Sequence, residues 1–395
     1  MREIGERSSI ASPGIGQKPT LLVSMIRNEE KNIVTMLDSV LTQGVVTHVL
    51  LCDTGSVDRT VSRAKRFLND KNVKHHHVAQ FSWDNDFASG RNKCLQKAHW
   101  FLRHGQWKVE WLLLLDADHT ISINREKLNV EPQYQMNTIE IVEPGYTRNE
   151  LPYVLHSTAL GGDCAYRCKT HEYLHCEHGT RGAYKGLQVI HSSKGKSSTS
   201  LLRDARILKH ALSNMTGDLC PVSRYHFYYA FTLFNLGNMS DAVEMHLQRQ
   251  LDHPSGWYQE RWYSMYQLAV ATYLQKKPSE RLFLNARYTL GGVYRKEPLY
   301  YLSRMNREAG NYSACNLYST AGLYAPPLIL EEGPLFVDRR LSTWALEEEH
   351  ALCLYFLGYK KEAQVWFRRI LNIYSHMLSA EDRKRIEKST TFGNE

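Results

Sequence analysis

The sequence predicts an α/β domain with a mostly parallel sheet, followed by an all-α helical domain. In the first half, short apolar runs alternate with amphipathic helical patterns, which is typical of parallel strands joined by helices. After about residue 201 the strand patterns stop and helical patterns continue. A chain of 395 residues is long enough for two or three domains. We therefore expect a flexible lead over residues 1–18, an α/β domain over residues 19–205 and a helical domain over residues 206–395.

The composition is that of an ordinary globular protein, with 43% hydrophobic and 23% charged residues. No apolar run approaches the roughly 18 residues that a membrane helix requires, and the N-terminal residues contain no apolar signal segment. We expect no transmembrane segment and a cytoplasmic location, which for a viral chain is the host cytoplasm or the virion. The net charge of +8 is spread without an arginine-rich block, so nucleic acid is not an expected partner.

Eight cysteines are scattered through the chain, a spacing that does not indicate a disulfide framework. We therefore expect reduced thiols. Cys164, Cys168 and Cys176 lie close to three histidines and could hold zinc. No Cys-x-x-Cys pair with a matching distal pair is present, so a zinc site is not predicted.

The central feature is the apolar run of residues 111–115, which leads directly into Asp116-Ala117-Asp118. The run has the length of a buried strand. Ligands of open α/β sheets lie at the carboxyl ends of the strands, where two carboxylates suit Mg²⁺ or Mn²⁺. A divalent ion at this place implies a phosphate-bearing substrate. The alternative is a solvated turn after a buried strand.

Two earlier strands are predicted over residues 21–26 and 48–53, the first followed by a helix over residues 30–41 and the second by a helix over residues 58–68. The second strand ends at Asp53, after which Gly55 permits a tight turn and Ser56 can cap the next helix. Asp53 should then point into the same cleft as Asp116. Its carboxylate can accept hydrogen bonds from a nucleobase or ribose, while the alternative is a helix-capping loop.

A third strand is predicted over residues 73–78, followed by an aromatic and acidic loop that leads into a helix. Arg91 and Asn92 fall in the first turns of this helix. Arg91 could pair with a diphosphate or hold the Asp86 carboxylate in place, and the sequence leaves both roles open.

Four motifs in this order resemble those of the inverting glycosyltransferase family 2. They are Arg27-Asn28-Glu29-Glu30, Asp53-x-x-Ser56-x-Asp58-x-Thr60, Trp83-x-x-Asp86-Phe87 with Arg91-Asn92, and Asp116-Ala117-Asp118. The resemblance implies a Rossmann-like, glycosyltransferase A-type fold for the first domain. It also implies nucleotide-sugar binding by Arg27, Asn28, Glu29, Asp53, Ser56, Asp86, Arg91, Asp116 and Ala117.

The same resemblance implies a metal site. Asp116 and Asp118 would hold Mn²⁺ or Mg²⁺ on the diphosphate of the donor. Residues 186–191 have the pattern of a strand that ends in His191, and in many relatives a histidine at this place completes the metal site. Imidazole suits Mn²⁺. The alternative is a surface histidine.

Thr170-His171-Glu172 is similar to a Val/Thr-His-Glu element in a subset of family 2. The subset includes bacterial S-glycosyltransferases of glycocin peptides and large-virus homologues. Inverting transfer needs a carboxylate beside the acceptor, so the resemblance makes Glu172 the expected catalytic base, with Asp163 and Glu177 as rivals. The alternative is that Glu172 only braces its loop. Residues 155–167 differ from the Arg-rich strand and Trp of that subset, so acceptor details are not transferred.

The second half contains a spacing that resembles tetratricopeptide repeats. It occurs as Leu236-Gly237-Asn238 with Ala242 and Pro254, as Gly310-Asn311-Tyr312 with Cys315 and Pro327, and as Leu357-Gly358-Tyr359 with Ala363. Arg249 replaces a usual small residue and the last repeat lacks its Pro, so an irregular bundle is the alternative. Such a domain is expected to present a groove for a peptide or for a second subunit of a homodimer.

Together these features predict a metal-dependent inverting glycosyltransferase of the hexosyltransferase type. The expected donor is a nucleotide sugar, with UDP as the nucleotide, and the acceptor is a glycan, a peptide or a protein. A sugar nucleotidyltransferase also uses paired carboxylates, but it usually has a Gly-rich phosphate loop where this chain has Ile26-Arg27-Asn28-Glu29. The other alternative is a non-catalytic helical-repeat scaffold with a degenerate transferase domain, against which the intact aspartate pair argues.

Overall fold

The computed structural model describes residues 14–143, 146–148, 153–191, 198–215, 217–253, 255–289, 291–292, 294–326, 335–338 and 340–391; for residues 143, 146–148 and 191 it describes only the backbone. The chain divides into two compact units. The first comprises Met1–Glu143, Arg148–Ser197 and Met215–Cys220, and the second comprises Pro144–Thr147, Ser198–Asn214 and Pro221–Glu395.

Eleven strands and four helices precede the helical region in the described part of the chain. The strands are β1 (Thr20–Ile26), β2 (His48–Asp53), β3 (His75–Gln80), β4 (Trp111–Leu114), β5 (His119–Ile123), β6 (Met136–Glu143), β7 (Tyr146–Arg148), β8 (Tyr153–His156), β9 (Cys164–Arg167), β10 (Tyr173–Cys176) and β11 (Arg181–His191). The helices are α1 (Ile33–Leu41), α2 (Thr60–Asp70), α3 (Phe87–Arg103) and α4 (Arg125–Leu128).

The main sheet has the strand order β3-β2-β1-β4-β8-β6-β11-β5. Strands β3, β2, β1 and β4 are mutually parallel, and β8 is the first strand that runs antiparallel to its neighbours. Strands β6 and β11 pair in parallel, and β5 closes the sheet in the antiparallel sense. The predicted α/β fold with a mostly parallel sheet is therefore confirmed.

Apolar residues cover both faces of this sheet, as parallel sheets require. Side chains alternate along a strand, so Leu22 packs in the core on one face while its neighbours Leu21 and Val23 pack on the other. Helix α3 approaches β1 closely at Gly90, where a Cβ atom would lie 2.7 Å from the Met25 sulfur. Ile15 also packs into the sheet core, although it belongs to the predicted flexible lead, whose residues 1–13 lie outside the described residues.

Helix α1 begins at Ile33, three residues later than the sequence pattern indicated. The backbone N–H groups of Glu29 and Glu30 donate to side-chain oxygens of Thr60 and Asp58. The acceptors lie in the loop after β2 and at the first residue of α2, so Glu29 and Glu30 form a loop rather than the first helical turn.

The expectation of reduced thiols was wrong for six of the eight cysteines. Disulfides join Cys164 to Cys176, Cys168 to Cys220 and Cys315 to Cys353, while Cys52 and Cys94 are free and buried. The cysteines of the possible zinc cluster are thereby all oxidised. The sequence argument failed because partners 52 and 38 residues apart meet only through the fold.

The second unit is helical. Its helices are α5 (Ser198–Ser213), α6 (Val222–Asn235), α7 (Met239–Leu251), α8 (Tyr258–Leu274), α9 (Glu280–Tyr288), α10 (Glu297–Glu308), α11 (Tyr312–Leu323), α12 (Trp344–Phe356), α13 (Lys360–Ile373) and α14 (Ala380–Ser389). The predicted all-α second half is confirmed. Within the described residues, no helix has the length and apolar character needed to cross a membrane.

The glycines of the three repeat-like motifs lie in turns between consecutive helices. Gly237, Gly310 and Gly358 have φ values of 81°, 77° and 92°, which favour glycine at a helix C-terminus. They separate α6 from α7, α10 from α11 and α12 from α13. Pro254 and Pro327 lie outside the described residues. The assignment to tetratricopeptide repeats stays a prediction.

Candidate active site

The carboxyl ends of β2, β1 and β4 lie side by side along one edge of the sheet. Strand β2 ends at Asp53, and Asp116 follows the end of β4. Neighbouring strands are about 4.8 Å apart, so roughly 10 Å separates the two strand ends. The structure thus brings both carboxylates to the edge where parallel sheets bind ligands.

An open cleft of about 510 Å³ lies at the ends of β1, β2 and β3. It is lined by Arg27, Asp53, Thr54, Gly55, Ser56, Gln80, Phe81, Ser82 and Trp83. Three of the residues predicted to bind the nucleotide sugar, Arg27, Asp53 and Ser56, are in this lining. The Trp83 ring, which lies 5.9 Å from the Arg27 guanidinium, gives the cleft an aromatic wall.

The loops after β1 and β2 are joined by hydrogen bonds through predicted site residues. The N–H of Asn28 donates to the Ser56 hydroxyl at 3.0 Å, and the N–H of Val57 donates to the Asn28 side chain at 2.9 Å. Asn28 itself has a φ of 55°, a conformation that asparagine tolerates better than most residues. Asn28 and Ser56 therefore shape the cleft through its backbone.

Asp53 is 2% exposed, and one of its carboxylate oxygens accepts the N–H of Ser56 at 3.0 Å. This bond fixes the turn after β2. The predicted capping role is not found, because Arg59 is the N-cap of α2 and makes no capping hydrogen bond through its side chain. The bond to Ser56 leaves the Asp53 carboxylate able to accept a second hydrogen bond from a ligand.

Asp86 caps helix α3, since its carboxylate accepts the N–H of Ser89 at 2.8 Å. Arg91 lies one turn further along and pairs with other carboxylates. Its two terminal nitrogens donate to both oxygens of Asp116 at 2.7 and 3.0 Å, and its Nε donates to Glu172 at 2.6 Å. Of the two roles considered for Arg91, holding Asp86 does not match these contacts.

This guanidinium connects the metal motif to the predicted base. Burial lowers the pKa of Arg91, but Asp116 and Glu172 outweigh burial and hold that pKa well above its ordinary value. The guanidinium carbon also lies 5.4 Å from the centre of the Tyr166 ring. Bidentate pairing of this kind fixes the orientation of both partners.

Asp116, Asp118 and His119 form a group that could hold a metal ion. Their potential ligand atoms lie within 4.8 Å of one another. Carboxylate oxygens and imidazole together suit Mn²⁺. Each Asp116 oxygen has a second lone pair, so its pairing with Arg91 is compatible with a metal. Ala117, between the two aspartates, is buried in the sheet core.

Two histidines lie at this site, one inside the group and one opposite it on the neighbouring strand. Sequence reasoning missed His119, although it follows Asp118 directly and its adjacency was the available signal. The predicted ligand His191 is the register partner of His119 across β11 and β5, and its side chain lies outside the described residues.

Glu29 adds negative charge near the aspartates. Burial raises the pKa of its carboxyl, the hydrogen bond from Asn32 opposes this shift, and the charges of Asp118 and Asp116 raise the pKa further. The predicted nucleotide-binding residue Glu29 thus faces the same region as the metal group. A concentration of carboxylates there attracts a cation.

Glu172 and its two rivals differ in their surroundings. Glu172 is 8% exposed and bonded to Arg91. Asp163 is exposed and lies 3.7 Å from His178, and Glu177 is exposed and pairs with Arg167 and His175. In the described part of the chain, Glu172 is therefore the candidate base that is linked to the aspartate motif.

Solved structures similar to this chain include three with low identity. The mannosyltransferase PcManGT from Pyrobaculum calidifontis, in complex with GDP-Man and Mn²⁺, is 14% identical over 66% of this chain and 88% of that chain, with a TM-score of 0.38. S. aureus TarS 1-349 is 13% identical over 78% and 91%, with a TM-score of 0.27. The glucosyl-3-phosphoglycerate synthase from Mycobacterium tuberculosis, with Mn²⁺, UDP and phosphoglyceric acid, is 16% identical over 32% and 44%, with a TM-score of 0.23. These scores are too low for function to be inferred from the likeness.

None of the curated proteins compared with this chain matches it significantly. The family model described as Glycosyl transferase family 2 matches residues 22–150. The match includes β1 to β4, the loop with Asp53 and the Asp116-Ala117-Asp118 motif. Residues 22–150 are therefore a glycosyl transferase family 2 domain.

Proposed function

We propose that this chain is a metal-dependent inverting glycosyltransferase that moves a hexosyl group from a UDP-sugar to a glycan, peptide or protein acceptor. The observation that carries the proposal is the group of Asp116, Asp118 and His119 at the end of β4, in a domain of this family. Paired carboxylates at a strand end are suited to a cation that carries a diphosphate.

The donor is held along the edge of the sheet from β2 to β4. Asp53 accepts a hydrogen bond from the nucleobase, and Trp83 and Phe81 offer aromatic faces in the same cleft. Asp116, Asp118 and His119 would hold Mn²⁺ or Mg²⁺, and Asp116 also pairs with Arg91. When bound, the ion supplies positive charge that stabilises the departing diphosphate.

Transfer is a single displacement. Glu172 removes the proton from the acceptor nucleophile, which bonds to the anomeric carbon as the bond from that carbon to the diphosphate oxygen breaks. Arg91 holds Glu172 and Asp116 in fixed relation through the bonds described above. Inversion itself rests on the family resemblance.

The helical unit is the proposed binding region for the acceptor or for a second copy of the chain. The predicted cytoplasmic location stays a prediction, and the three disulfides favour folding in an oxidising compartment instead. An acceptor present in such a compartment is thereby favoured.

The proposal is tested by incubating the full chain with labelled UDP-, GDP- and CMP-sugars, with Mn²⁺ or with a chelator. We expect metal-dependent release of UDP from a UDP-sugar, no comparable release from the GDP- or CMP-sugars, and no release by the matched Asp118→Ala variant. Equal turnover in chelator and in Mn²⁺, or no turnover of any donor, would contradict the proposal.

A further inference from the structure

The predicted base lies in a β-hairpin that is closed by a disulfide. Strands β9 and β10 pair in an antiparallel register that places Cys164 opposite Cys176, and these two residues are bonded. At the other end of the hairpin, Arg167 is opposite Tyr173, so residues 168–172 form the connecting loop. Glu172 is the last residue of this loop.

The loop has an unfavourable backbone conformation at two positions. Cys168 has a φ of 78° and His171 a φ of 52°, both in the left-handed region that non-glycine residues seldom adopt. Such conformations persist where surrounding contacts enforce them. We therefore expect contacts with other segments to hold this loop in its conformation.

Contacts from two other segments hold the loop. On one side, the N–H of Phe87 at the start of α3 donates to the Lys169 carbonyl at 2.8 Å, and Arg91 donates to Glu172. On the other side, Cys168 is bonded to Cys220, and the Lys169 ammonium lies 3.9 Å from the Asp218 carboxylate.

The adjacent strand β9 is fixed separately from the loop. The Asn92 side chain donates to the Tyr166 carbonyl and accepts the Tyr166 N–H, at 2.9 and 2.7 Å. The hairpin strands thus have their own attachment to α3. The Cys168–Cys220 bond acts on the loop itself.

We propose that the Cys168–Cys220 disulfide is a positioning element that holds Glu172 against Arg91, an inference that rests on the proposed function. Without the covalent bond, Cys168 can relax to a negative φ, and the path of the four residues that follow then changes. Glu172 loses its fixed position, while the loops that carry Asp53 and Ser56 keep their own hydrogen bonds. Transfer should therefore slow without a loss of donor affinity.

The third disulfide provides a matched control. Cys315–Cys353 joins α11 to α12 in the other unit, and both its cysteines are buried, as are Cys168 and Cys220. The two bonds close chain segments of similar length, with sequence separations of 38 and 52 residues. Because chain-entropy stabilisation grows only with the logarithm of loop length, removing either bond should lower stability by a similar amount.

The experiment compares the double variants Cys168→Ser/Cys220→Ser and Cys315→Ser/Cys353→Ser with the wild-type chain. We expect similar decreases in melting temperature. We expect kcat to fall about tenfold or more in the first variant only, with a donor Kd by calorimetry within about twofold of wild type in both. An equal kcat in the two variants at a temperature where both are folded would overturn the proposal.

A third variant, Cys168→Gly/Cys220→Ser, separates positioning from stability. Glycine adopts a φ near 78° without strain, so it should recover part of the lost kcat. It also enlarges the freedom of the unfolded chain, so the melting temperature should not recover. A kcat no higher than that of the Cys168→Ser/Cys220→Ser variant would count against positioning.

Amide hydrogen exchange tests whether the disulfide holds the loop in place without depending on the proposed function. Faster exchange in residues 168–172 is expected in the Cys168→Ser/Cys220→Ser variant and not in the control. If wild type transfers no sugar but this exchange pattern appears, the proposed function is wrong. The inference that the Cys168–Cys220 disulfide holds the loop of residues 168–172 in place is then still supported. Unchanged exchange together with normal transfer in the Cys168→Ser/Cys220→Ser variant would refute only the positioning role of the disulfide.

Discussion

Charged side chains are used differently in the two units. In the α/β unit, one guanidinium, that of Arg91, contacts both Asp116 and Glu172, and Asp118 and Glu29 add further negative charge at an open sheet edge. In the helical unit, three arginines that are buried or half-buried each pair with a buried carboxylate. These pairs are Arg224–Glu260, Arg295–Glu297 and Arg307–Glu349. An excess of carboxylates at an open cleft indicates cation binding, whereas neutralised buried pairs indicate packing.

The largest expected effect concerns the metal group. Asp118→Ala removes a predicted ligand but little buried apolar surface, so we expect a normal melting temperature. If the metal stabilises the transition state by about 5 kcal/mol, turnover should fall by roughly 10⁴-fold. Chelating the metal should lower wild-type turnover to a similar level. Undiminished turnover in the variant would falsify the metal assignment.

The next prediction tests whether Glu172 is the catalytic base or only stabilises its loop. Glu172→Gln keeps the shape of the side chain while removing its charge. A base role predicts a fall in kcat of about 10²- to 10⁴-fold with little change in donor affinity. Asp163→Asn is the control, because Asp163 pairs with His178 away from Arg91. If the Asp163 variant loses turnover and the Glu172 variant does not, the base has been misassigned.

The helical unit should respond in stability rather than in chemistry. Arg295 and Glu297 are 2% and 3% exposed, and Arg295 also donates to the Leu335 and Phe336 carbonyls. Glu297→Ala leaves a buried charge uncompensated and should cost about 3 to 5 kcal/mol in unfolding free energy. Burial raises the pKa of Glu297 despite Arg295. Glu297→Gln keeps the side-chain volume and an oxygen that can accept from Arg295, so it should cost less. Denaturant unfolding measures both, and equal losses would contradict this account.

The comparison also shows what the sequence could predict. The carboxylates at the strand ends could be predicted, because a buried apolar run followed by Asp-x-Asp fixes their place in the sheet. Asp53 and Asp116 do lie at the expected edge. The pairing of Arg91 with Glu172 could not be predicted from the sequence. Glu172 lies 81 residues away in sequence, and its approach depends on a hairpin that no local pattern indicated.

Other differences have the same cause. Cysteine pairing and the late start of α1 both depend on contacts between segments distant in sequence, such as the Glu29 N–H and the Thr60 hydroxyl. His119 was a different kind of omission, since it adjoins Asp118 and required no tertiary information. In the helical unit, the turns at the three glycines could be predicted, because glycine is favoured at positive φ.

Acid should destabilise the helical unit through buried histidine. Burial, with a smaller effect of Arg249, lowers the pKa of His246 to about 3. The unfolded histidine, with a pKa near 6.5, therefore binds its proton at a higher pH than the folded one. Stability is lost as the pH falls from about 6.5 towards 3, by up to about 2 kcal/mol at pH 5. His246→Gln should reduce the difference in unfolding free energy between pH 7.5 and 5, whereas His376→Gln, at an exposed position, should not.

The last expected effect concerns Asp53 and the nucleobase. One carboxylate oxygen accepts the Ser56 N–H, so Asp53→Ala would disturb the turn as well as any ligand contact. Asp53→Asn keeps an acceptor for Ser56 while replacing the other oxygen with a donor, and it therefore isolates the contact with the base. We expect UDP affinity to weaken by about 1 to 3 kcal/mol in this variant, with an unchanged melting temperature. Calorimetric titration with UDP measures the difference, and titration with GDP shows whether the loss depends on the base. Equal UDP affinity in wild type and Asp53→Asn would mean that Asp53 serves only the turn.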